Sequence, residues 1–94
     1  MTIEPRETRL KRLTMRSMRR GMKEMDILMM RFADAHLAGL SESELDVYDQ
    51  ILSENDQDLY QWVTGQTPAP DPYGPLVAQI AAAAADDPVS KRPI

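Results

Sequence analysis

The chain contains no cysteine, which removes disulfides, thiolate nucleophiles and cysteine-ligated metal centres. That absence fits a reducing compartment, and the cytoplasm is the expected location. Histidine occurs once, as His36. With no second histidine and no cysteine to complete a ligand set, His36 is expected to be structural and not to bind metal. Aromatic residues are sparse, and none interleaves the basic residues before Phe32, as a base-stacking surface would have. No apolar run approaches the roughly 18–20 residues that span a bilayer. The start of the chain carries Glu4, Pro5 and Glu7 and no apolar core of a signal peptide, so neither a secretory leader nor an intact transit peptide is expected. There is no Gly-rich phosphate loop, dinucleotide fingerprint or Ser-His-Asp set. Glu24 and Asp26 are spaced i,i+2 and would not face each other on a helix as an acid/base pair. An enzyme is the least supported class.

Basic residues are missing from 32–90, where eleven carboxylates give −11. Residues 1–31 hold nine Lys and Arg against four acids, for +5, and the whole chain carries −4. Such a molecule has a basic end and an acidic body, a polarity that can orient it on a partner. Ninety-four residues make one domain with one modest core, spanning about 8–85, and favour binding through the surface over a deep pocket. The tail, Asp86 to Ile94, is expected to fray.

Every apolar repeat reads near period 3.6, which predicts an all-α bundle. The first helix is expected over 8–20, with Leu10, Leu13 and Ser17 on one side. Gly21 is then expected as a left-handed C-terminal cap. A second and strongest helix is expected over 22–38, where Met22, Met25, Met29, Phe32 and His36 recur at spacings of three and four. Ser41 and Glu44 form a capping box for a third helix, and Leu40 and Leu45 stand where a hydrophobic staple would sit. Asn55 or Asp56 can cap a fourth, with Leu59, Trp62 and Val63 facing inward and Gly65 as its stop. Residues 66–75 hold four prolines and cannot be helical. Pro75 suits the first position of a fifth helix, Leu76 to about Ala85.

The segment Met15 to Met30 concentrates the unusual chemistry. Six of the seven methionines lie in it, with Arg16, Arg19, Arg20, Gly21, Met22, Glu24 and Asp26. Core filling is the expected role of most of the methionines, although their flexibility also suits adaptable binding surfaces. Arg20-Gly21-x-x-Glu24 reads in the plainest way as a helix junction, yet the arginines exceed what capping needs. The competing reading is a small nucleic-acid-binding or regulatory protein that uses the basic N-terminal helix. An acidic body would oppose approach to a polyanion.

The run R-L-x-M-R-S-x-R-R-G-M-K-E-M-D from Arg12 to Asp26 resembles the signature of the SdhE family, bacterial relatives of mitochondrial succinate dehydrogenase assembly factor 2. The likeness continues through Leu45-x-x-Tyr48-x-x-Ile51-Leu52 and Asp56-x-Asp58-Leu59-Tyr60-x-Trp62-Val63, and covers roughly residues 9–65. It departs at Met15, where relatives often carry an aromatic, and at Gln57, where many have proline. The alanine-rich last helix matches the family poorly. The resemblance implies a five-helix bundle that assists covalent attachment of FAD to the flavoprotein subunit of succinate dehydrogenase, and in some bacteria of fumarate reductase. It implies a dedicated chaperone and not an enzyme, with FAD attached to the partner and no cofactor tightly bound here. The family's R-G-x-x-E motif falls on Arg20, Gly21 and Glu24. The expected partner-binding set is these three with Arg16, Arg19, Met22 and Asp26, presented by a monomer that neither binds nucleic acid nor enters a membrane.

Overall fold

The computed structural model describes residues 4–85. These residues form helices α1 (Arg6–Arg16), α2 (Lys23–His36), α3 (Glu42–Leu52), α4 (Asp56–Val63) and α5 (Gly74–Ala85), with a 3-10 turn, Leu37–Gly39, after α2. No strand occurs among the described residues, so the all-α class read from the sequence is the class that forms. The fraying expected for 86–94 falls outside the described residues.

Helix α2 is the axis of the bundle and packs against α1, α4 and α5. Its apolar stripe, Met25, Met29, Phe32 and Ala33, is buried. Leu13 of α1 and Leu45, Tyr48, Ile51 and Leu52 of α3 join it in one core. Leu59 of α4 and Leu76, Val77 and Ile80 of α5 complete that core. Each such side chain contributes about 1.5–3 kcal/mol by leaving water. The Phe32 and Tyr48 rings stack with centroids 5.6 Å apart.

The helix ends follow local chemistry. Ser41 Oγ accepts from the Glu44 amide at 3.2 Å while Glu44 Oε1 accepts from the Ser41 amide at 2.9 Å, completing the capping box. Leu40 and Leu45 are both buried beside it. Asn55 caps α4 by accepting from the Gln57 amide at 2.8 Å. Gly65, at φ +82°, ends α4 in the left-handed conformation that glycine adopts without strain. Helix α5 begins at Gly74, earlier than Pro75 suggested, because the Tyr73 carbonyl already accepts from the Val77 amide at 2.8 Å.

Several sequence expectations need correction. Helix α1 stops at Arg16 instead of residue 20, and the left-handed residue is Arg19, at φ +58°, not Gly21. The cause lies in Ser17 and Arg20, whose side chains are committed to other helices, so the chain turns before Gly21. Trp62 sits at the edge of the core, only partly buried, with its ring 5.7 Å from that of Tyr73. His36 is exposed and lies against Phe32 at 5.4 Å. The methionines divide: Met25 and Met29 are fully buried, whereas Met15, Met18 and Met30 are exposed.

Candidate functional site

The basic character of α1 is directed inward. Its arginines reach across to the acidic face of α3 in a ladder that rises along both helices. Arg6 pairs with Glu42, Arg9 with Glu42 and Asp46, Arg12 with Asp49 and also Glu4, and Arg16 with Asp49. Arg16 also donates to Ser53 Oγ at 3.0 Å. The Arg12 guanidinium holds the Glu4 carboxyl below its ordinary range, and Asp46 raises the Arg9 pKa. The arginines of the basic helix are therefore paired along a seam within the fold.

Arg20 is the last rung and the most buried, with a side chain 10% exposed. Its Nε donates to Asp56 Oδ1 at 2.7 Å, Nη1 to the Leu52 carbonyl at 2.7 Å and Nη2 to the Glu54 carbonyl at 3.0 Å. It thereby satisfies carbonyls that the end of α3 leaves without intrahelical partners. The other oxygen of Asp56 accepts from the Gly21 amide at 2.8 Å and the Met22 amide at 3.3 Å. Helix α2 has no side-chain cap of its own, since Met22 occupies that position. Asp56 can serve it from another helix because Asn55 already caps α4. One guanidinium and one carboxylate thus tie together the end of α3 and the starts of α4 and α2.

What marks Gly21 is a close approach and not its backbone sign. A Cβ placed there would come within 3.3 Å of Asp56 Oδ2, tighter than ordinary packing. Gly21 and Glu24 are exposed, and Met22 is partly buried against the core. Arg19 and Glu24 make no ion pair or side-chain hydrogen bond among the described residues, so Glu24 does not orient Arg20. Asp26 is half-buried, and its Oδ1 is enclosed without a hydrogen-bond partner. Of the seven residues singled out from the sequence, Arg19, Gly21 and Glu24 face solvent. Arg16 and Arg20 are engaged within the fold, and Met22 and Asp26 are partly covered.

Beyond Glu24 an open groove of about 380 Å³ runs between α2, α4 and α5. Ile27, Leu28, Tyr60, Val63, Ala81 and Ala84 supply its apolar lining, with Arg31 and Thr64 as polar members. Ile27, which is 40% exposed, continues this apolar surface towards solvent. Sequence reading did not assign Asp56 to the site. The available signal was a pair of adjacent capping residues, Asn55 and Asp56, where a helix start needs one.

No group of three or more metal-ligating side chains gathers among the described residues. The tied turn thus lies beside an apolar groove on a small helical bundle. Comparison with known proteins gives the family: the chain belongs to the one described as flavinator of succinate dehydrogenase (Sdh5), whose model matches residues 11–84. This is a family of assembly factors and not of enzymes, and it includes the bacterial SdhE proteins. The match extends through most of α5, so the alanine-rich helix, expected from the sequence to match the family poorly, lies within the matched region. The chain is 51% identical over 73 residues to mitochondrial succinate dehydrogenase assembly factor 2 of Meyerozyma guilliermondii, covering 74% of this chain and 54% of that protein. It is 43% identical over 75 residues to the Debaryomyces hansenii protein of the same name, covering 77% and 53%. It is 38% identical over 79 residues to assembly factor 2-A of Drosophila persimilis, covering 82% and 49%. The chain spans about half the length of these relatives. No helix among the described residues is long and apolar enough to cross a membrane.

Proposed function

We propose that this protein binds the flavoprotein subunit of succinate dehydrogenase and promotes covalent attachment of FAD to it. A fumarate reductase flavoprotein is a second client of the same chemistry. The protein acts as a monomer in the cytoplasm and holds no cofactor of its own, FAD being the substrate bound by the partner. Attachment of a flavin to a protein nucleophile needs the two aligned and water excluded. A rigid surface that fixes a mobile flavoprotein supplies alignment without a catalytic group, because ordering completed before binding is not lost on binding.

The observation that supports this reading is the exposure of Gly21 and Glu24 on a turn whose arginine is locked inward. Gly21 admits close backbone approach, Glu24 offers a carboxylate that is unpaired among the described residues, and Arg19 adds a cation that is unpaired among them too. Arg16, Arg20, Met22 and Asp26 belong to this surface as its support. The open groove next to Glu24 suits an apolar segment of a protein better than an enclosed cofactor.

The test is capture of the flavoprotein from cells grown on succinate, followed by in-gel fluorescence of covalent flavin on the large subunit. Cells lacking this protein should show weak flavin fluorescence, restored by the wild-type chain and not by Glu24→Ala at equal helper level. Full flavin attachment in the deletion strain would reject the reading.

A further inference from the structure

We propose that Asp56 is the positioning residue of the docking turn, holding Gly21 and Glu24 in the arrangement a partner meets. The affinity part of this inference rests on the function proposed above; the part that concerns the turn does not. Three observations converge on Asp56. Its two oxygens are divided between Arg20 Nε and the amides of Gly21 and Met22, so one side chain fixes both the arginine and the backbone of the motif. Helix α4 does not need it as a cap, because Asn55 fills that role. Helix α2 does need it, because Met22 offers no side-chain acceptor at the start of the helix that carries Glu24. With a side chain 16% exposed, Asp56 presents little to a partner and acts through the residues it holds.

The turn also contains a conformation that requires holding. Arg19 sits at φ +58°, where an L-residue other than glycine is strained. On its N-terminal side the chain is anchored by the buried Ser17, and on its C-terminal side by the grip of Asp56 on Arg20, Gly21 and Met22. Loss of the carboxylate frees one of these anchors, and Glu24, in the first turn of α2, loses its fixed direction relative to α4.

Asp56→Asn is the informative change, since it keeps the shape but leaves one neutral acceptor where Arg20 Nε on one side and the two amides on the other need two. Asp58→Asn, two residues away and exposed in the same first turn, controls for charge and for the helix dipole. Backbone amide exchange is read by NMR on the full chain, and affinity for the apo-flavoprotein subunit is measured at equal helicity. In Asp56→Asn the Gly21 and Met22 amides should exchange about ten- to a hundredfold faster, the range for losing a charge-assisted hydrogen bond. Affinity should fall by about tenfold or more in Asp56→Asn and stay at the wild-type level in Asp58→Asn. On a Glu24→Ala background, Asp56→Asn should cost less affinity than it does alone, because both act through the same contact. Unchanged amide exchange in Asp56→Asn would overturn the proposal, as would faster exchange with undiminished affinity. If the wild-type chain itself does not bind the flavoprotein, the functional reading fails, and the amide measurement still decides whether Asp56 fixes the turn.

Discussion

Ser17 Oγ and Tyr48 OH lie 2.6 Å apart, deep in the core, and join the end of α1 to the middle of α3. Ser17 also donates to the Leu13 carbonyl at 2.8 Å, so the hydroxyl of Tyr48 is the donor between them. Ser17→Ala leaves that phenol without its acceptor and should destabilise the protein by about 1–3 kcal/mol in urea unfolding. The double variant with Tyr48→Phe should lose less than the sum of the single changes, because no orphaned group remains.

The same burial predicts a loss of stability in alkali. Enclosure pushes the Tyr48 pKa up from 10.0 to about 12. Above pH 10 the unfolded chain releases the phenolic proton while the folded chain keeps it, so unfolding is increasingly favoured as pH rises from 10 to 12. The loss across that window is on the order of 2–3 kcal/mol. Chemical denaturation at pH 9 and pH 11.5 should show it, and Tyr48→Phe should flatten the dependence.

Arg20→Ala and Glu24→Ala should fail for different reasons. Removing Arg20 strands Asp56 and the Leu52 and Glu54 carbonyls, which should cost about 2–3 kcal/mol, below the figure for a fully enclosed pair because water reaches this one. Removing Glu24, exposed in a first helical turn, should change stability by only about 0.3–1 kcal/mol. Thermal melts should separate the two, and covalent flavin on the client should fall in both.

Gly21→Arg places a side chain against the Asp56 carboxylate as well as on the proposed docking face. Circular dichroism should still show a helical protein, since the core is untouched, while flavin attachment falls. Leu52→Ala is the contrast: its side chain is 5% exposed, and truncation should cost roughly 2–5 kcal/mol and act through folding alone.

Acid should weaken the hold of Glu4 on α1 and the start of α3. Arg12 lowers the Glu4 pKa, and the Ser41 amide lowers that of Glu44, both from 4.5. A carboxylate with a depressed folded pKa contributes above its unfolded value and loses that contribution as pH falls through the folded one. The melting temperature should therefore drop below about pH 4.5, and it should drop less in Glu44→Gln.

Much of this was legible in the sequence, and the reason is local. The capping box at Ser41 and Glu44, the stop at Gly65 and the stripe Met25, Met29, Phe32 are decided by neighbours within a turn or two. What escaped is long-range. Arg20 is expected among the partner-binding residues, and nothing near it in sequence reveals the Leu52 and Glu54 carbonyls, more than thirty residues away, that it satisfies. Gly21 reads as a left-handed cap because glycine follows a basic helix end, whereas its real constraint is a carboxylate from α4. Met15, Met18 and Met30 carry the same side chain as Met25 and Met29, and only the path of the backbone separates exposed from buried.

The ladder between α1 and α3 also bears on how fast this protein can find anything. A sequence with +5 at one end and −11 beyond it suggests a molecule with a strong dipole that pulls in charged partners from a distance. Folding sets the arginines of α1 directly against the carboxylates of α3, so much of that separation collapses to contact range, where water and salt hide it at distances beyond a Debye length of about 8–10 Å. What remains at long range is chiefly the field of a net charge of −4. Encounter should then be left to ordinary diffusion and orientation, with expected rate constants on the order of 10⁵–10⁷ M⁻¹s⁻¹ and a weak dependence on ionic strength. On the proposed function, selectivity for a partner would reside in how long the docked turn stays, not in how quickly it arrives.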